Sequence, residues 1–111
     1  MEQNSLNRAE LRGRIGQEPR ISNVGEAKYA RFSIATNETF KDKKGELKEE
    51  TTWHNIVAWS GKTISDFSIL KKGVMVSISG KIRNIKYKNQ DGDDRYYSEI
   101  LATKLSVIEP N

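Results

Sequence analysis

Trp53 and Trp59, the two tryptophans of the chain, stand six residues apart in TTWHNIVAWSGKT (51–63). The stretch reads as a β-strand, and strands alternate faces with period two. Trp53, Asn55, Val57 and Trp59 therefore share one side, and Thr52, His54, Ile56 and Ala58 share the other. If Ile56 and Ala58 point into a core, both indoles point out. Six residues at about 3.3 Å each put the rings roughly 20 Å apart. Rings at that distance cannot grip one flat ligand together, but each can stack a different unit of an extended one. Nucleic-acid bases are such units, and stacking on an aromatic side chain is worth about 1–3 kcal/mol per base whatever the base. The competing reading has one or both indoles filling the core, as an isolated tryptophan usually does. Their shared face with Asn55 weighs against it.

Two further aromatics strengthen the pattern. Phe40 opens a charged stretch (NETFKDKKGELKEE, 37–50) with Lys41, Lys43 and Lys44 beside it. Tyr87 sits in a second one, between Arg83, Lys86 and Lys88. An aromatic flanked by lysines on an exposed arm has little core to enter. Interleaved cations and rings suit a single-stranded polyanion, with charge following the backbone and rings stacking the bases. Lys62, Lys71 and Lys72 add positive charge nearby. Any one lysine reads more simply as a solvated surface group, so the pattern carries more than its members.

Catalysis has weaker support. His54 is the single histidine and faces away from the tryptophans, which favours a structural or interface role. Asp91, Asp93 and Asp94 resemble a metal loop, but a calcium loop starting there would need glycine and glutamate where Tyr96 and Ala102 stand. Gly13 and Gly16 in RGRIGQ are not followed by a helix, so they form no dinucleotide fingerprint. No metal or cofactor is expected.

The elements that must position these residues fit one domain, residues 1–111 of a 111-residue chain. Nineteen bases against fifteen acids give a formal charge of +4, which favours an anionic partner. Cysteine is absent, which removes disulfides, thiolate zinc sites and cysteine nucleophiles. No run of about 18 apolar residues exists to span a bilayer, and the N-terminus lacks an apolar signal core, so a cytoplasmic location is expected. Along the chain, strands are expected at 6–15, 28–36 (Phe32 and Ile34 inward), 51–59, 74–82 and 96–108. A short helix is expected over 60–73, capped by Ser60, with Ile64, Phe67 and Leu70 on one face. Gly80 marks a bulge or bend. Lys44-Gly45 and Asp91-Gly92 mark the tips of two arms. Five strands with a helix after the third describe an all-β, five-stranded antiparallel barrel of the OB-fold type. A split α+β sheet is the main rival from order alone.

The chain also resembles the bacterial single-stranded DNA-binding proteins. The matching segments are LNRAELRGRIGQEPR (6–20), RFSIATNETFKDKKGELKEETTWHNIVAW (31–59), LKKG (70–73), SISGKIRNIKY (77–87) and DGDDRYYSE (91–99). They include G-x-x-G-x-x-P, T-x-W-H, L-x-K-G and D-R-Y, and they cover nearly the whole chain. The resemblance implies an OB-fold, single-stranded DNA as ligand in replication, recombination and repair, and a nucleoid-associated homotetramer without catalysis or cofactor. Carried over by position, stacking falls on Phe40, Trp53, Trp59 and Tyr87. Phosphate contacts fall on Lys43, Lys62, Lys72, Arg83 and Lys86, with Lys88 added from its place on the second arm. Phe40 and Tyr87 stand where tryptophan is common, and Trp59 where phenylalanine is; all keep a π-face. Members commonly continue into a flexible linker and an acidic tip ending in Pro-Phe that recruits other proteins. This sequence ends at LSVIEPN, so recruitment through such a tip is not expected of it. A rival reading makes the aromatic face a docking surface for a partner protein, with weak, mostly electrostatic nucleic-acid binding.

Overall fold

The structure, a computed structural model, describes residues 4–61 and 66–108. Six strands run in chain order: β1 (Ala9–Ile15), β2 (Arg20–Val24), β3 (Ala27–Lys41), β4 (Leu47–Trp59), β5 (Met75–Lys88) and β6 (Asp94–Ile108). They hydrogen-bond in the order β1-β5-β6-β4-β3-β2. β1 also pairs with β3, through Arg14 with Ala35 and Ile15 with Ile34, which closes β1, β5, β6, β4 and β3 into a barrel. All pairings are antiparallel except β4–β6, where Ile56 faces Ile100 and Val57 faces Leu101. This is the OB-fold that the strand order predicts. β2 lies outside the closed ring as a hairpin partner of β3. It was not expected, because Arg20–Val24 shows no clear two-residue alternation of polar and apolar residues.

The barrel interior follows the alternation of its strands. Ala30, Phe32 and Ile34 of β3, Ile56 and Ala58 of β4, Val76 and Ile78 of β5, and Ile100 and Ala102 of β6 form one buried cluster with Ile15 and Leu70. Each large apolar side chain taken from water here contributes about 1.5–3 kcal/mol. Gly80 stands at a register shift between β5 and β6, as a small closed barrel needs. A Cβ there would fall onto the Leu101 carbonyl, so the close crossing of the two backbones requires glycine. His54 is on the inward side of β4, opposite Ile34, and its Nε2 lies 2.9 Å from Thr36 Oγ1. That gives it a structural partner.

The helix expected over 60–73 is replaced, in its described part, by one 3₁₀ turn, Phe67–Ile69. Asp66 caps this turn by accepting from the Ser68 N–H at 2.9 Å. Ser60 caps nothing. Its Oγ accepts from the Lys28 N–H at 3.2 Å and its own N–H donates to the Lys28 carbonyl at 2.9 Å, so it extends the β3–β4 ladder. Leu70 has extended backbone and is buried in the core. Both ends of the connection are committed to the barrel, and its described residues form this one turn. Lys62 and Ile64 lie outside the described residues. Among the described residues, no helix is long and apolar enough to cross a membrane.

Candidate nucleic-acid interface

The outward side chains of four adjacent strands, β3, β4, β6 and β5, form one surface. Cross-strand partners point to the same side, so the register identifies its members. From β3 come Tyr29, Arg31, Ser33 and Ala35, paired with Trp59, Val57, Asn55 and Trp53 of β4. From β6 come Tyr97 and Glu99, paired with Ile85 and Arg83 of β5, and Tyr87 follows on the same side opposite Arg95. Both tryptophans point out, as the alternation predicts. Trp53 is 59% exposed and Trp59 36%.

The rings are braced. Trp59 packs on Tyr29 with centroids 5.0 Å apart and planes tilted by 46°. The guanidinium of Arg31 lies 5.5 Å from the Tyr29 centroid, a cation–π contact. Tyr87 packs on Tyr97 at 5.8 Å. Trp53 leans past Ala35 onto the backbone at Gly16, and a Cβ at Gly16 would run into the outer edge of the indole. The Gly16 N–H donates to the Ser33 carbonyl at 3.0 Å, which ties this backbone to β3, so the ring and not the chain would have to move. A groove of about 310 Å³ opens between these groups, lined by Gln17, Arg20, Arg31, Asn55, Tyr97 and Glu99 among others. Glu99 is 1% exposed and receives Arg31 Nη1 at 3.2 Å and Arg83 Nη2 at 2.6 Å. Burial lowers the Arg31 pKa, but the Tyr97 hydroxyl, Glu99 and Tyr29 outweigh it and hold the guanidinium above its ordinary value. The arrangement offers flat apolar rings, fixed cations and a groove between them. Among the described residues, no cluster of histidine, aspartate or glutamate could hold a metal ion.

The structure thus brings Trp53, Trp59, Tyr87 and Arg83 onto one surface. Phe40 is exposed at 48%, but it pairs with Lys48 on the other side of the β3–β4 ribbon, the side that carries Phe32 and Ile34 lower down. Lys43 stands in the exposed turn at the tip of that ribbon. Lys72 is exposed beyond Leu70, and its backbone N–H donates to Glu18 at 3.2 Å. Lys86 pairs with Tyr96 on the side away from Tyr87, and both Lys86 and Lys88 contact Asp94, at 3.3 and 3.0 Å. Tyr29, Arg31, Tyr97 and Glu99 were not foreseen as site residues. The signal for them was the strand alternation itself, which puts Tyr29 and Arg31 on one face of β3, and Tyr97 and Glu99 on one face of β6.

The profile of the Single-strand binding protein family matches residues 6–108. The single-stranded DNA-binding protein of Neisseria meningitidis serogroup A is 37% identical over 106 residues, covering 94% of this chain and 60% of that protein. Single-stranded DNA-binding protein 1 of Chlorobaculum tepidum is 36% identical over 105 residues, covering 93% and 65%. The chain therefore spans less than two thirds of the length of these relatives. A Plasmodium falciparum SSB in complex with ssDNA superposes with a TM-score of 0.82 at 33% identity, over 98% of this chain and all of that one. The single-stranded DNA binding protein from Thermus aquaticus shares the fold, with a TM-score of 0.79 at 19% identity over 94% of this chain and 51% of that one. On the strength of the profile match and these relatives, the chain belongs to the Single-strand binding protein family.

Proposed function

We propose that this chain binds single-stranded DNA with little sequence preference, as a binding protein and not an enzyme. One observation carries the reading: three exposed rings, Trp53, Trp59 and Tyr87, share a continuous sheet surface with Arg31 and Arg83. Stacking accepts any base, and the guanidiniums answer the backbone phosphates, so affinity arises without base-edge recognition. The family and the ssDNA-bound relative support it. Lys43, Lys62, Lys72, Lys86 and Lys88 are proposed as peripheral phosphate contacts, and Phe40 as a stacking group on the opposite side of its arm. The same reading assigns the protein to the cytoplasm and to replication, recombination and repair. It also makes it a homotetramer, which light scattering at micromolar concentration would check.

The test is a tryptophan-fluorescence titration with oligo(dT) against duplex of equal length, repeated over a range of salt. Strong quenching by the single strand alone is expected, because either indole loses emission on stacking with a base. With about 5 phosphates engaged, log K against log salt falls with a slope near −3.5. Equal, unquenched and salt-labile binding to both forms would leave only a basic surface. The aromatic face would then read better as a docking surface for a protein.

A further inference from the structure

Glu99 is the one buried charged residue among the described residues, and it lies on the surface proposed to bind a polyanion. A bare carboxylate there would repel phosphate and lose its hydration without compensation. It is not bare. Arg83 is its cross-strand partner on β5 and donates to Oε2. Arg31 donates to Oε1 from β3, which is two strands away because β4 lies between β3 and β6. Its side chain must cross β4, and the residue it crosses is its own cross-strand partner, Val57. This explains why Val57 is only 3% exposed although it points outward with the tryptophans. The line Arg31–Glu99–Arg83 runs over all four strands between the level of Trp53 and that of Trp59.

We infer that Glu99 is a positioning residue and that Arg31 is a phosphate-binding residue of this site. By accepting one guanidinium on each oxygen, Glu99 holds Arg31 and Arg83 in a fixed line across the sheet. An arginine has five N–H donors, and the bond to Glu99 engages one nitrogen of each. Both arginine side chains remain about half exposed, at 48% and 44%. Their outward edges meet the backbone of a strand passing from the Trp53 ring to the Trp59 ring. Pre-ordering two long side chains reduces the freedom lost on binding. Through Arg31 the brace extends to Tyr29 and so to Trp59. The inference rests on the single-strand reading above.

The full chain and its Glu99→Gln and Arg31→Met variants are titrated with oligo(dT) by tryptophan quenching at several salt concentrations, each after a thermal melt. Glu99→Gln removes the charge at nearly constant volume and sets an amide N–H₂ against one guanidinium. Affinity is expected to fall about 10-fold, the scale of one well-placed charged hydrogen bond. The salt slope becomes shallower by about 0.7 for each phosphate that is no longer neutralised, with quenching at saturation unchanged. Arg31→Met is expected to weaken binding by about 3- to 10-fold with the same flattening. It decides the matter if Glu99→Gln melts before it can be titrated. Tighter binding and a steeper slope in Glu99→Gln would show that the carboxylate only masks charge. Unchanged affinity in a folded variant would show a brace with no part in binding. Either result overturns the inference while the wild type still quenches with oligo(dT). Absence of quenching in the wild type would remove the single-strand reading itself, and this one with it.

Discussion

In the β3–β4 arm, Asp42 Oδ1 accepts from the N–H groups of Lys44 and Glu46, both at 2.9 Å. In the β5–β6 arm, Asn89 Oδ1 accepts from those of Asp91 and Asp93, at 3.0 and 2.9 Å. The backbone bonds also correspond, Asp42 N–H to Glu46 O with Gly45 N–H to Asp42 O, and Asn89 N–H to Asp93 O with Gly92 N–H to Asn89 O. Gly45 and Gly92 both have φ +82°, the left-handed region that a glycine enters without penalty. The ladders leading to these matching turns differ. Residues 37–50 carry four lysines and five acids, with Glu38 directly opposite Glu50. Residues 83–95 carry four bases and three acids, with Tyr87 opposite Arg95 and Lys88 opposite Asp94. Turn geometry is a local property and repeats wherever the local residues permit it. The chemistry of a ribbon is made across the hairpin, by partners that the order of the chain keeps apart.

If this comparison holds, the two arms contribute unequally to DNA binding although each has an aromatic among lysines. Tyr87 is braced by Tyr97 and shares the surface of Trp53 and Trp59. Phe40 lies on the opposite side of its ribbon. Tyr87→Ala is expected to weaken oligo(dT) binding by about 1–3 kcal/mol, the worth of one stacked base. Phe40→Ala is expected to cost less than half as much by the same titration. Equal losses would mean that the strand wraps round the edge of the first arm and uses both sides.

A smaller effect separates the faces of the acidic ribbon. Glu49 pairs with Thr39 on the Trp53 side, and Glu50 pairs with Glu38 on the other. Glu49→Lys is expected to tighten binding a few-fold and to steepen the salt slope by about 0.7, the mark of one more neutralised phosphate. Glu50→Lys relieves a like-charge pair and is expected to stabilise the fold by about 0.2–1 kcal/mol, read as a raised midpoint in urea. Its effect on the salt slope should be smaller than that of Glu49→Lys. A reversal of this order would place the DNA path on the Phe40 side.

The sequence showed the barrel because its strands alternate cleanly. Phe32, Ile34, Ile56 and Ala58 read as inward and are buried, and Trp53 and Trp59 read as outward and are exposed. The two glycine-bearing turns were legible for the same local reason. What stayed hidden was non-local. Ser60 reads as a helix cap, and nothing near it in the chain announces its bonds to Lys28. Lys86 and Lys88 resemble free cations until Asp94 closes on both. Glu99 resembles any outward strand residue until Arg31 arrives from two strands away. The indole of Trp53 rests on Gly16, a residue that the sequence marks only as part of a glycine motif.

The likeness of the turns themselves is tested by two truncations and then by two exchange variants, whose effects are the smallest. Asp42→Ala and Asn89→Ala each remove two side-chain-to-backbone hydrogen bonds at an exposed tip. Each is expected to destabilise by about 1 kcal/mol, a fall in Tm of roughly 4–8 °C for a domain near this size. The exchange variants then separate geometry from charge. Asp42→Asn keeps the acceptor and loses the ion pair with Lys48, which at 4.0 Å and on the surface is worth little, so it should be close to neutral. Asn89→Asp also keeps the acceptor, but it sets a fourth carboxylate beside Asp91, Asp93 and Asp94, and it should destabilise by a few tenths of a kcal/mol that salt removes. If Asn89→Asp is as neutral as Asp42→Asn, the turn tolerates either acceptor and the arms differ only along their ladders. If Asp42→Ala is silent while Asn89→Ala is costly, the first arm is held by its ladder and not by its turn, and the likeness between the two tips has no energetic content.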